Sequence, residues 1–132
     1  MLTSAINTAI SGLNASTKRL DNSANNVANV ASTAGVENGQ RVNKPYVPTQ
    51  VENTALASGG VATTQRAVDP ASTPVYDPNN ALANDEGLVD YPNVDLEEEV
   101  VNQQIATYTF EANLKVIEKA DEMQEDLLDI TA

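Results

Sequence analysis

Both ends of the chain carry apolar residues at helical spacing, and a turn-rich middle separates them. From Leu2 to Ala31 the apolar positions recur every three or four residues, with Ser16 as the one polar interruption. A second stripe runs from Val101 to Ile130. This spacing aligns side chains on one face of a helix, and such a face needs a cover. The two ends therefore cover each other or are covered by other subunits, which is typical of an assembly component.

The stripes predict a mainly α chain with a small β element, in which long terminal helices pair as an antiparallel coiled coil. We expect the first helix over about 3–31 and the last from Asp95 to about residue 130, roughly 40 and 50 Å long. The chain then divides into an axial helix with an Asn-rich end (1–35), a strand- and turn-rich middle (36–93) and a second axial helix (94–132). Both ends form one structural domain.

The middle segment contains all six prolines of the chain. Residues 46–52 and 61–68 predict two short strands of a hairpin, and Pro48 would confine the first strand to an edge. Asn38-Gly39 indicates a tight turn, and a further turn cluster lies at 77–80.

Three residues form a helix-end motif after the first stripe. Asn26 and Asn29 are expected to bond backbone groups where the helix ends, because asparagine favours such positions, and Gly35 is expected to turn the chain. At the start of the last helix, Asp95 is expected to cap the first turn. Glu98 follows three residues later, as in a capping box.

Composition argues against enzyme chemistry. The chain has no histidine and no cysteine, which removes the commonest general base and the commonest metal ligands together. Acidic and amide residues between 79 and 90 suggest a calcium loop, but placing Gly87 at its sixth position puts Leu82 in the first ligand position. We therefore expect no catalytic, cofactor or metal site.

The two ends of the chain differ in net charge. The net charge is −12, which argues against nucleic-acid binding. From Asp95 onward there are 11 acidic and 2 basic residues, whereas residues 1–34 sum to +1. The acidic end is either a solvated face or a face for a basic partner. The second interpretation leaves an alternative function open: a cytoplasmic acidic helical adaptor or chaperone that binds a basic client.

Three stretches resemble one family. The run N-V-A-N-V-A-S-T-A-G at 26–35 is similar to the asparagine-rich segment that closes the first helix of bacterial flagellar axial proteins. Residues 75–89 and 91–95 resemble a segment typical of a proximal rod subunit. The last helix, with Glu99, Asn102, Tyr108, Ala112 and Asn113, resembles the C-terminal motif of rod and hook proteins.

This resemblance implies a structural subunit of the proximal rod, the drive shaft of the flagellar basal body, and no enzyme. It further implies export by the flagellar type III apparatus without a cleaved signal, assembly in the periplasm-spanning rod, and no membrane insertion. The implied partners are other rod proteins, copies of the chain, the export apparatus and an adaptor between the MS-ring and the rod base.

Large apolar side chains on both helices are the expected assembly interface. Phe110, Leu114 and Ile117 form a second strip beside the main stripe, so the last helix has two apolar sides. The predicted interface residues are Leu2, Ile6, Leu13, Leu20, Val27, Ile105, Tyr108, Phe110, Leu114, Ile117 and Leu127.

Overall fold

The computed structural model describes residues 2–37, 40–41 and 46–131. Two long helices, α1 (Leu2–Ala28) and α2 (Leu96–Thr131), lie antiparallel against each other and flank a series of short strands. The strands are β1 (Val36–Glu37), β2 (Gln40–Arg41), β3 (Thr49–Ala55), β4 (Val61–Ala67), β5 (Ser72–Tyr76) and β6 (Leu88–Pro92). The predicted fold class, a mainly α chain with paired terminal helices and a small β element, is confirmed.

The first helix ends three residues earlier than the expected residue 31. Beyond Ala28 the chain continues in tight turns, in which Val30 N donates to Val27 O and Ser32 N donates to Asn29 O at 2.9 Å. The Asn29 side chain also donates to Asn25 O. Asparagine competes with the helical pattern in this way because its amide readily bonds nearby backbone groups.

The predicted hairpin exists, with its first strand shifted toward the C-terminus. Strand β3 pairs with β4 from Thr49↔Ala67 to Ala55↔Val61, and Gly59 and Gly60 form the turn at φ +90° and +85°. Only glycine adopts this left-handed region readily. Pro48 is buried directly before β3, where its carbonyl accepts from Val68 N at 2.9 Å; since proline has no N–H to donate, the pairing ends there.

The β5–β6 hairpin was not expected from the sequence pattern. Ser72 to Tyr76 pair antiparallel with Pro92 to Leu88, and Val89 in β6 is fully buried. Ala34 joins this sheet, because its N–H and carbonyl exchange hydrogen bonds of 3.0 and 3.2 Å with Asp90. The predicted turn cluster at 77–80 begins the loop between β5 and β6. The predicted turn at Asn38-Gly39 lies outside the described residues.

The β3–β4 hairpin rests on α1. Ser11 Oγ accepts a hydrogen bond from Val61 N at 3.1 Å, and Gln65 Nε2 donates to Asn22 Oδ1 at 3.4 Å. These polar contacts, spaced along α1, fix the hairpin to one side of the helix pair and leave the opposite side of α2 uncovered by the described strands.

Candidate assembly interface

Small and polar side chains form the contact face between α1 and α2, which we call the seam. On α1 it contains Ala9, Gly12, Ser16, Arg19, Ser23 and Asn26, and on α2 it contains Glu99, Asn102, Ala106, Thr109, Asn113 and Ala120. Alternating steps of three and four residues are the spacing of a coiled coil. The sequence left open whether the apolar stripes cover each other or await other subunits; in this structure small and polar residues form most of the contact between the helices.

The register of the seam follows from three contacts. Asn26 meets Glu99, Ser16 bonds Thr109 at 2.9 Å, and Gly12 lies against Asn113. Each step toward the start of α1 matches a similar step toward the end of α2. The two helices are thus antiparallel over the whole length of α1.

Gly12 marks a close approach along the seam. A Cβ at this position would lie 2.6 Å from Asn113 Nδ2, so the neighbouring side chain would have to move. The Asn113 side chain occupies the space beside Gly12. The missing Cβ of Gly12 makes room for the Asn113 amide, which donates in turn to Thr109 O at 2.7 Å.

Asn26 joins three elements at one end of the pair, which we call the closed end. Its Nδ2 donates to Glu99 Oε1 at 2.5 Å and to Thr49 O at 2.8 Å. Its Oδ1 accepts from Tyr46 OH at 2.8 Å and from Thr49 N at 3.2 Å. All four hydrogen-bonding positions of a buried amide are thereby used. Asn26 thus ties α2 and the start of β3 to α1.

Further bonds complete the closed end. Ser23 Oγ donates to Glu99 O at 3.0 Å, and Asn22 exchanges bonds with Thr49, its Nδ2 donating to Thr49 O and its Oδ1 accepting from Thr49 Oγ1. Burial, and next the Glu99 carboxylate, raise the pKa of Tyr46 above its usual value. Both causes disfavour the phenolate, so the neutral O–H that Asn26 requires is retained.

A polar cavity of about 390 Å³ adjoins these residues. Arg19, Asn102 and Glu98 line it together with Asn26 and Glu99. Glu99 Oε2 is buried and has no hydrogen-bond partner among the described residues. Neither histidine nor cysteine lines the cavity, because the chain contains none. Within the described part of the chain there is no group of three acidic residues placed to hold a metal ion.

The structure describes all eleven predicted interface residues, which lie beside the seam or on the outer sides of the two helices. None of them is buried: Leu2, Ile6, Leu13, Val27 and Ile117 are partly exposed, and Leu20, Ile105, Tyr108, Phe110, Leu114 and Leu127 are exposed. Tyr108 is 68% exposed and Leu114 46%. The helix pair therefore presents its largest apolar side chains outward on both sides of a small-residue contact.

The predicted helix-end residues have different roles. Asp95 Oδ1 accepts from the N–H groups of Glu97 and Glu98 at 2.9 and 3.2 Å, which is the geometry of an N-cap, while Glu98 is exposed and lines the cavity mouth. Gly35 is buried against Leu82. Asn26 lies two residues inside α1 and bonds across to β3 and α2 instead of capping the helix.

The sequence contained a signal for the seam that the apolar stripe concealed. Ala9, Ser16 and Ser23 lie seven residues apart, as do Glu99, Ala106, Asn113 and Ala120. Heptad repeats of small residues indicate close helix approach, but a search for large apolar residues passes over them.

No described helix is long and apolar enough to cross a membrane. Comparison with known proteins identifies the family of the last helix. Residues 86–130 match the family described as "Flagellar basal body rod FlgEFG protein C-terminal", a match that covers nearly all of α2. This match indicates the class, the flagellar basal-body rod proteins, which relatives matched over most of the chain confirm.

Curated relatives narrow the class to one family. The chain is 38% identical to the flagellar basal-body rod protein FlgC of Yersinia enterocolitica over 81% of each chain. It is 36% identical to that of Salmonella typhimurium over 86% of this chain and 85% of the relative, and 32% identical to that of Borreliella burgdorferi over 92% of each. The chain belongs to the FlgC family of flagellar basal-body rod proteins, which confirms the prediction of a structural rod subunit; nothing in these matches supports an acidic adaptor.

Proposed function

We propose that this rod subunit is completed by its neighbours through the large apolar residues that flank the seam. The observation that carries the proposal is that the helix pair buries small side chains and exposes large apolar ones. Ala9, Ala106 and Ala120 are buried between the helices, whereas Leu114 and Tyr108 remain exposed. A helix pair that was stable alone would place its larger side chains inside.

Energetics support coverage by other subunits. Alanine and serine bury little apolar area, so the seam contributes little hydrophobic free energy at roughly 25 cal/mol per Å². Each half-exposed leucine or isoleucine that becomes covered in the rod contributes about 1 kcal/mol. A row of such residues on each side of the pair supplies in the assembly the stabilisation that the single chain lacks.

The same arrangement suits a subunit that travels before it assembles. A chain without disulfides and with a weak seam unfolds readily, as passage through a narrow channel requires. We infer export through the flagellar type III apparatus without a cleaved signal, followed by assembly in the periplasm-spanning rod. Other rod proteins, copies of this chain and an adaptor at the MS-ring and rod base are its partners. Its role is structural, with no catalytic step.

The experiment replaces one flanking residue by a polar residue of similar size. Leu114→Gln and, in a separate variant, Leu13→Gln keep good helix formers at their positions. We expect each variant to be exported but absent from purified basal bodies, with swimming lost in cells that carry it as the sole copy. Immunoblots of the culture medium and of isolated basal bodies measure the two outcomes.

The matched control is Gln104→Ala, an exposed position on the side of α2 that faces away from α1. It should swim normally. Normal incorporation of both leucine variants would contradict the proposal, as would loss of export, because the flanking residues would then act before assembly.

A further inference from the structure

An apolar groove remains at the end of the helix pair opposite the closed end, where α1 begins. It has a volume of about 580 Å³ and is lined by Leu2, Ala5, Lys115, Val116, Lys119, Ala120 and Met123. We call it the open-end groove. Its walls are almost entirely apolar, and its two polar residues are lysines.

The two lysines distinguish this groove from the rest of α2. Lys115 and Lys119 are the two basic residues between Asp95 and the end of the sequence, and both line the groove. Lys119 Nζ already lies 2.6 Å from Glu122 Oε2, but this pair is largely exposed to solvent. Exposed ion pairs are weak, so a carboxylate on an incoming partner can compete for the ammonium group. The groove therefore suits an apolar helix that carries acidic residues.

The chain itself contains such a helix. In the antiparallel register, Leu2 at the start of α1 lies level with Met123, so the last two turns of α2 extend roughly 12 Å past α1. Leu127 and Ile130 on these turns are 53% and 81% exposed. Glu125, Asp126 and Asp129 lie between and beside them. We call residues 124–130 the overhang.

We propose that the open-end groove receives the overhang of a second copy of this chain, an inference that rests on the proposed function. Leu127 and Ile130 of one copy contact the apolar walls formed by Leu2, Val116 and Met123 of the next. The acidic residues of the overhang pair with Lys115 and Lys119.

Two physical arguments favour a second copy as the occupant. The groove and the overhang are different surfaces of one chain, so their contact is heterologous and can extend from copy to copy, as a shaft requires. The contact also places the most acidic part of the chain on the two lysines of α2, which reduces the repulsion between adjacent chains of local charge −9.

Disulfide trapping tests the contact directly, because the natural chain has no cysteine. A chain carrying both Val116→Cys and Leu127→Cys is expressed as the sole copy, and isolated basal bodies are oxidised. The two positions are roughly 16 Å apart along one helix, too far for a bond within the chain. We expect a covalent dimer and longer ladders on non-reducing gels.

Each single cysteine variant, and a chain with Gln104→Cys and Leu127→Cys, serve as matched controls that should remain monomeric. Basal bodies that contain the double variant but show no dimer above these controls would overturn the proposal. A cross-link from Leu127→Cys to a different rod protein in place of the dimer would overturn it equally, since the overhang then contacts another partner.

Charge exchange provides a second test should the cysteine variant fail to assemble. Replacing both lysines by glutamate (K115E/K119E) places like charges together, and so does replacing both aspartates by lysine (D126K/D129K). Each double variant should lower incorporation by about tenfold or more, because juxtaposed like charges oppose binding. A chain with all four changes should recover incorporation, and failure to recover would overturn the proposal.

The two sets of experiments distinguish a failure of the proposed groove occupant from a failure of the proposed function. If Leu114→Gln abolishes incorporation while the dimer and the charge rescue are both absent, the flanking residues still mediate assembly and the assignment of the overhang is wrong. If Leu114→Gln incorporates normally while the dimer forms, the proposed function of the flanking residues fails and the end-to-end contact stands.

Discussion

The two ends of the helix pair differ in how they are stabilised. At the closed end, Asn26, Glu99 and Thr49 connect α1, α2 and β3 through a set of buried hydrogen bonds. At the open end, the overhang of α2 carries exposed leucine and isoleucine side chains, beside an apolar groove lined by Leu2, Val116 and Met123. Directional bonds therefore specify one end within the chain. Apolar area at the other end is left for contacts that form on assembly.

The largest effect is expected from a substitution that breaks the hydrogen bonds of the closed end. Replacing Asn26 by alanine removes both donors and both acceptor positions of the amide, and it leaves the Glu99 carboxylate and Tyr46 O–H without that partner. We expect a loss of about 3 kcal/mol in the free energy of unfolding, since several buried groups become unsatisfied together. Urea unfolding followed by far-UV circular dichroism measures it.

Asn25→Ala is the matched control for that prediction. Asn25 is exposed, and its amide bonds the backbone oxygen of Asp21 one turn earlier. Its loss should change the free energy of unfolding by no more than about 0.5 kcal/mol. Equal effects for the two asparagines would show that the closed end is not the stable end of the pair.

An intermediate effect is expected in the seam. Gly12→Ala improves helix propensity by up to about 1 kcal/mol, but the new methyl group meets the Asn113 side chain. We expect a net loss of about 1 kcal/mol in the natural background and a net gain when Asn113 is also alanine. A double-mutant cycle on unfolding free energies gives the coupling. Additive effects would mean that the helices are not in close contact at Gly12.

The smallest expected effect depends on pH. Because the pKa of Tyr46 is raised in the folded chain, the folded state holds its proton more tightly than the unfolded state does. This contribution to stability is complete below the unfolded pKa of about 10 and is lost as the pH rises through the higher folded pKa. Unfolding midpoints should therefore fall above pH 10 in the natural chain.

Tyr46→Phe should weaken the fall of the unfolding midpoint above pH 10. Tyr108→Phe, at an exposed position, should leave that fall unchanged. Identical pH profiles for the natural chain and the Tyr46 variant would place the phenol outside the closed-end network.

The sequence predicted where the helices lie better than it predicted which side of each helix contacts the other. Apolar periodicity located both helices, and Asp95 marked the start of α2. The same periodicity could not tell whether a partner belongs to the same chain, because a stripe that awaits a neighbouring subunit has the same spacing as one buried inside. Large residues such as Leu13 and Leu114 were therefore predicted as interface residues while cover by the other helix or by another subunit was left open, and Ser16 was taken for an interruption although it lies in the seam.

Long-range pairing set the other limit. Strands β5 and β6 are five residues each, and Pro74 and Pro92 within them argue against strands on local grounds. Their pairing depends on Ala34 and on the burial of Val89, contacts that no local pattern reveals. Asn26 was expected to bond backbone where the helix ends, and it donates instead to the carbonyl of Thr49 in β3. Its bonds to Glu99 and Tyr46 could not be foreseen, since they depend on the register of two distant segments.

The seam of small residues affects how the subunit bears mechanical load. Because small residues recur at heptad spacing on both helices, as Ala9, Ser16 and Ser23 do on α1 and Ala106 and Ala120 on α2, their packing resists a slip by one heptad only weakly. Resistance to shear between α1 and α2 therefore falls on the bonds that exist in a single alignment, which join Asn26 and Ser23 to Glu99 and Ser16 to Thr109. In a rotating shaft, these hydrogen bonds keep the torque from sliding one helix past the other.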